Sequence, residues 1–92
     1  MIDEQSYVKR NNDVFANDID GEAVMMNIQT GKYYGLDEIG SRIWELMEQK
    51  IQVKAIIDQL QKEYEVSEQQ CKTDVLNLLT ELKTNQLIEI SE

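Results

Sequence analysis

Along residues 14–36, apolar and polar positions alternate in short runs separated by turn residues, the mark of half-buried strands. Val14 to Ile19 reads as a strand, and Asp20-Gly21 as a two-residue hairpin turn, because both positions tolerate positive φ. Glu22 to Ile28 returns as a second strand, with Val24, Met26 and Ile28 on one face at a period of two. Gln29-Thr30-Gly31 turns the chain again into Lys32-Tyr33-Tyr34-Gly35-Leu36. The pattern predicts a three-stranded antiparallel meander.

From Asp37 onward the period lengthens to that of a helix. Asp37 is placed to cap the first turn, where its carboxylate accepts from free N–H groups and suits the positive end of the dipole. Ile39, Ile43 and Met47 repeat four apart, flanked by Trp44 and Leu46, and are expected to form the core stripe. Gly40 is expected at a point of close packing against the sheet. A second helix spans about Val53 to Tyr64 on the stripe Val53, Ile56, Ile57, Leu60 and Tyr64. Ser67 and Gln70 fit a capping box that starts a third helix running to about Thr84. Its apolar set of Cys71, Val75, Leu76, Leu78, Leu79 and Leu82 is wider than one seam, which predicts two apolar contacts for this helix. Asn85 is expected as a left-handed C-cap, and Leu87 to Ile90 as a short extended tail. Strands first and helices after define an α+β fold with the helices on one face of the sheet. The short turns between the helices suggest a winged helix-turn-helix arrangement.

Composition narrows the function. Ninety-two residues are expected to form one domain, residues 1–92, which buries roughly 60–65% of its extended-chain surface on folding and has no room for a deep enclosed active site. The formal charge is −9, from 18 acidic and 9 basic residues, and both halves of the chain share the imbalance. No basic patch awaits a phosphate backbone, so no nucleic-acid partner is expected. No apolar run approaches the roughly 20 residues that cross a bilayer, and the N-terminus lacks the order of a signal peptide. No membrane partner is expected, and the cytoplasm is the expected compartment. Cys71 is the only cysteine, which excludes an internal disulfide.

Candidate chemistry is sparse. Histidine is absent, so the commonest general base and metal ligand is missing, and Cys71 has no histidine to activate it. Phosphate-cradling glycine loops, HExxH, CxxC and EF-hand spacings are all missing. Pairs such as Glu45 and Glu48, or Asp58 and Glu65, fall on solvent-facing helix positions. The chain reads as a protein without enzymatic activity, cofactor or metal.

Binding remains. The third strand pairs only with the second, so it forms a sheet edge without proline, charge run or bulge to guard it. Tyr34 and Leu36 are expected to face the core, with Lys32 on the same side. Gly31, Tyr33 and Gly35 face the other way. An open edge beside an apolar groove is the geometry in which an extended peptide adds a strand. Two readings stand on pattern alone: the edge receives a peptide, or the C-terminal tail covers it.

The ordered series Asp20-Gly21-Glu22-Ala23-Val24, Thr30-Gly31-Lys32-Tyr33-Tyr34, Leu36-Asp37, Gly40 and Ile43-Trp44-Leu46 resembles the PqqD-like domains, also called RiPP recognition elements. Tyr64, Val66, Asp74-Val75, Leu78-Leu79, Leu82 and Leu87-Ile88 continue the likeness to cover roughly residues 8–90. The resemblance implies a protein that binds the leader segment of a ribosomally made precursor peptide as an added strand, in the groove between the third strand and the third helix. On this chain it implies contacts from Thr30, Gly31, Lys32, Tyr33, Tyr34, Gly35 and Leu36, and from Cys71, Asp74, Val75 and Leu78 on the helix. Asp74 would pair with a leader Lys or Arg, and Val75 and Leu78 would line an apolar pocket. A short, acidic, free-standing member with the Gly-Lys-Tyr-Tyr strand is most similar to the leader-binding proteins of lasso-peptide pathways. Expected partners are then a cysteine-protease-type leader peptidase and an ATP-dependent macrolactam cyclase. The alternatives are a PqqD-type chaperone for a radical enzyme, a homodimer paired through the same edge (against a monomer that binds peptide), and last a winged-helix nucleic-acid binder.

Overall fold

The computed structural model describes residues 2–91. In chain order the elements are β1 (Tyr7–Arg10), β2 (Val14–Ile19), β3 (Glu22–Asn27), β4 (Tyr33–Gly35), α1 (Glu38–Leu46), β5 (Ile51–Gln52), α2 (Val53–Glu63), α3 (Glu68–Thr84) and β6 (Ile88–Ser91). The strands form two antiparallel three-stranded sheets, ordered β2-β3-β4 and β5-β1-β6. The first is the meander expected from the pattern. Its hairpin turns on Asp20 and Gly21, both at positive φ (55° and 85°), as the right-handed twist of the flanking strands requires.

The second sheet is a departure from the sequence reading. β1 buries a single apolar side chain, Val8, and β5 is two residues long, so neither carries a periodic signal. The C-terminal tail does not cover the β4 edge. It pairs with β1 through the register Tyr7↔Ser91 to Arg10↔Ile88.

The core lies between the meander and the helices. Leu36, Ile43, Trp44, Met47, Val53, Ile56, Ile57, Leu60, Val75, Leu79 and Leu82 are buried in it. From β3 the inward set is Ala23, Met25 and Asn27, so Val24, Met26 and Ile28 form the outward face. A buried asparagine in an apolar register is tolerated because both ends of its amide are hydrogen-bonded. Nδ2 donates to the Gln86 carbonyl at 2.6 Å, and Oδ1 accepts from the Gln29 and Thr30 backbone N–H groups. That side chain shapes the β3–β4 turn and ties it to the end of α3.

Both helix caps read from the sequence are present. Asp37 Oδ1 accepts from Gly40 N at 2.8 Å, and Ser67 Oγ from Gln70 N at 3.1 Å. A Cβ on Gly40 would stand 3.2 Å from Leu36 Cβ and from Asp37 Oδ1, so the close approach is to the strand-to-helix corner. Two expectations are corrected. Asn85 has φ −89°, and the left-handed residue is Gln86 (φ 59°), whose carbonyl receives the Asn27 and Asn11 amides. Ile39 is not a core residue: at the first turn of α1 it is 46% exposed. No helix is long and apolar enough to cross a membrane among the described residues.

Candidate functional site

Strand β4 is an edge. Lys32 O accepts from Asn27 N, and Leu36 N donates to Ala23 O, so the even-numbered residues face β3. Tyr33 and Gly35 occupy the alternate positions, where N–H and C=O point away from the sheet. The ladder splays at its end, where the buried hydroxyl of Ser41 accepts from Ala23 N at 2.7 Å and donates to the Leu36 carbonyl at 3.3 Å. One α1 side chain thus fixes the corner from which the edge leaves. No sequence pattern marked Ser41, because a single serine inside a helix looks like a solvated residue.

Beside this edge lies an open cavity of about 340 Å³, walled by Tyr34, Gly35 and Leu36, by Ile43 of α1, and by Asp74, Leu78 and Glu81 of α3. Asp74, Leu78 and Glu81 stand four and three residues apart on one helical stripe, so the phase read from the sequence holds for this wall. Leu78 is half-buried at the margin of the core. Tyr34 Oη donates to Glu81 Oε2 at 2.6 Å and bridges β4 to α3 across the groove. Burial, and then that hydrogen bond, push the Tyr34 phenol up to about 12. Asp74 accepts from Gln70 Nε2 at 2.9 Å and is otherwise open to solvent.

A second cavity, about 330 Å³, continues between α1, α2 and α3. It shares Ile39, Ile43 and Asp74 with the first and adds Leu60, Tyr64, Val66, Cys71 and Val75. Cys71 and Val75 are buried, at 3% and 1% exposure, so they shape the floor of this space rather than the edge groove. Burial pushes the Cys71 thiol up, and its Sγ lies 3.8 Å from the Ile57 carbonyl. It behaves as a small apolar core residue.

The predicted residues therefore separate. Tyr34, Gly35, Leu36, Asp74 and Leu78 come together around the edge groove, and Cys71 and Val75 line its neighbour. Tyr33 lends its backbone to the edge and turns its ring, 75% exposed, to the opposite face. Thr30, Gly31 and Lys32 form the turn before β4: Thr30 Oγ1 accepts from Lys32 N, and Gly31 sits at φ 73°. Glu81 and Ile39 line the groove and were not among the predicted residues. Extending the Asp74–Leu78 stripe by one turn would have found Glu81. Ile39 reads as a core residue in the sequence because periodicity does not separate a core from a groove that opens beside it.

Fold and site together define an α+β domain with helices on one face of a meander and an open edge strand bordering an apolar groove. The chain belongs to the family described as coenzyme PQQ synthesis protein D (PqqD), whose model matches residues 22–88. Among curated proteins, none matches at a significant level. Two solved structures are similar. One is TbiB1 in complex with the TbiA(beta) leader peptide, 37% identical over 88% of this chain and 94% of that one, with a TM-score of 0.83. The other is a lasso peptide synthetase B1 complexed with the leader peptide, over 89% of this chain and 96% of that one. At 20% identity and a TM-score of 0.73, it is a likeness of fold.

Proposed function

We propose that this chain binds the leader segment of a ribosomally synthesised precursor peptide as a strand added to β4, as part of lasso-peptide biosynthesis. The observation that carries the reading is the open edge itself. Tyr33 and Gly35 direct their backbone groups outward, and the C-terminal tail is engaged with β1. An incoming strand would take those hydrogen bonds and lower alternate side chains into the cavity between Leu36, Ile43 and Leu78. The deeper space floored by Cys71 and Val75 suits a further apolar side chain, and the exposed carboxylate of Asp74 suits a basic one. The 37% identity to TbiB1, a protein captured with its leader peptide, supports the same reading. The captured peptide would then pass to a cysteine-protease-type leader peptidase and an ATP-dependent macrolactam cyclase.

The test is a titration of a fluorescently labelled leader peptide, followed by anisotropy, with the wild-type chain and Leu78→Glu. Placing a carboxylate in the groove should weaken binding by at least about tenfold, while the circular dichroism spectrum stays that of the wild type. Unchanged affinity in the folded variant would place the peptide elsewhere. Light scattering on the same samples reads the homodimer alternative: self-association through β4 would be reversed by the peptide.

A further inference from the structure

The face of the meander turned away from the helices is apolar and uncovered. Phe15 and Ile19 on β2 and Tyr33 on β4 are 62%, 55% and 75% exposed, and Ile28 just beyond β3 is 63% exposed. The register gathers them: Phe15 lies opposite Met26, and Met26 opposite Tyr33. A shallow cavity of about 280 Å³ lies among Phe15, Ile19, Val24, Met26 and Tyr33. An outward sheet face in an antiparallel meander is ordinarily polar. Contiguous exposed apolar surface of this kind marks a surface for a partner.

Charge selects the partner. Between Arg10 and Lys32 the chain has no Lys or Arg; Asp13 and Glu22 alternate onto this face with Phe15 and Val24, and Asp20 lies in the turn at its end. Glu22 stands opposite Ile19 at one end of the face, and Asp13 pairs with Ile28 at the other. A second copy would set these acids against its own, with no base on the face to answer them and a charge of −9 on each chain. The fitting occupant is a different protein, apolar at its centre and rimmed by Lys and Arg. The face lies across the sheet from the groove between β4 and α3, so the two can be occupied together.

We infer that this face is where the enzyme that receives the captured peptide docks, an inference that rests on the leader-binding reading above. The test uses the purified leader peptidase and cyclase of the same pathway. Affinity for each is measured by biolayer interferometry with the wild-type chain, with Phe15→Ser/Ile19→Ser and with Asp20→Asn/Glu22→Lys, which keeps a residue at position 20 that tolerates its positive φ, while leader binding is followed separately by anisotropy. The apolar variant should bind leader within about twofold of wild type and bind at least one enzyme about tenfold or more weakly, the weight of one or two buried anchors. The charge variant should associate more slowly with that enzyme at low salt and lose most of its salt dependence. It keeps the test open if the apolar variant misfolds. The inference is overturned if wild type binds neither enzyme, if both enzymes bind the variants as well as wild type, or if wild type dimerises through this face and the apolar variant is monomeric. A wild type that binds an enzyme through this face but binds no leader would instead sink the leader-binding reading.

Discussion

Trp44 and Arg10 tie β1 to the end of α1. The Arg10 guanidinium stacks 4.7 Å from the indole centroid and donates through Nε and Nη2 to the Trp44 carbonyl, at the C-terminal end of α1. A cation there meets both the ring's negative face and the negative end of the helix dipole. Trp44 is 4% exposed, and its Nε1 has no hydrogen-bond partner. Trp44→Ala should therefore cost about 3–5 kcal/mol, and Trp44→Phe distinctly less, because it removes an unpaired buried donor along with part of the ring. Urea denaturation of the two variants checks the order, and equal losses would contradict it. Glu63 gives a pH signature. Two-point hydrogen bonding from Arg42, with Gln59 assisting, holds its carboxyl down to about 2 from an ordinary 4.5. A carboxyl depressed in the folded state stabilises fully above its unfolded value, and that contribution is lost as pH falls from about 4.5 toward 2. Glu63→Gln should be less stable than wild type at pH 7 and decline less steeply across that window in urea midpoints. Parallel pH profiles would remove the Arg42–Glu63 pair from the account of α1–α2 packing.

At the scale of elements, the long periodic segments were legible and the short ones were not. The meander, all three helices and the Asp37 and Ser67 caps follow from period, turn chemistry and capping rules, each acting over neighbouring residues. Strands β1 and β5 are defined by pairing across the chain, β1 with both β5 and β6, a long-range fact that four residues and two residues cannot announce. The same distinction divides the candidate site. The Tyr34–Leu36 edge and the Asp74–Leu78 wall were readable because strand alternation and helical phase place them. Ser41 and Asn27 were hidden because each acts through a partner far along the chain. The β4 edge carries a prediction of its own. Gly35 directs its N–H outward and has nothing within 4 Å of where a Cβ would stand. Gly35→Pro removes a donor that the fold leaves unpaired, as proline does without penalty on a sheet edge. It should weaken leader binding by about tenfold or more while the thermal midpoint moves little. A large fall in the midpoint with unchanged affinity would show that this N–H belongs to the fold and not to the peptide.

On the scale of the whole molecule, the acidic charge and the two faces of the meander fit the capture and hand-over proposed above. Glu68, Asp74 and Glu81 are exposed along α3, so the helix that a winged-helix protein would lay against phosphates presents carboxylates instead. The groove and the apolar face lie on opposite sides of one sheet, and β4 belongs to both: its backbone borders the groove, and the Tyr33 ring lies on the outer face. The central claim is that the free edge of β4 is where the peptide adds its strand. The most direct measurement is amide hydrogen exchange by NMR on the isotopically labelled chain, with and without a leader peptide at saturation. Tyr33 and Gly35 should exchange quickly alone and become protected when the peptide is bound, while the amides of β2 stay as they were. Protection that appears on Ala16 and Asp18, whose N–H groups point out from the free edge of β2, or nowhere on β4 although the peptide is bound, would contradict the account.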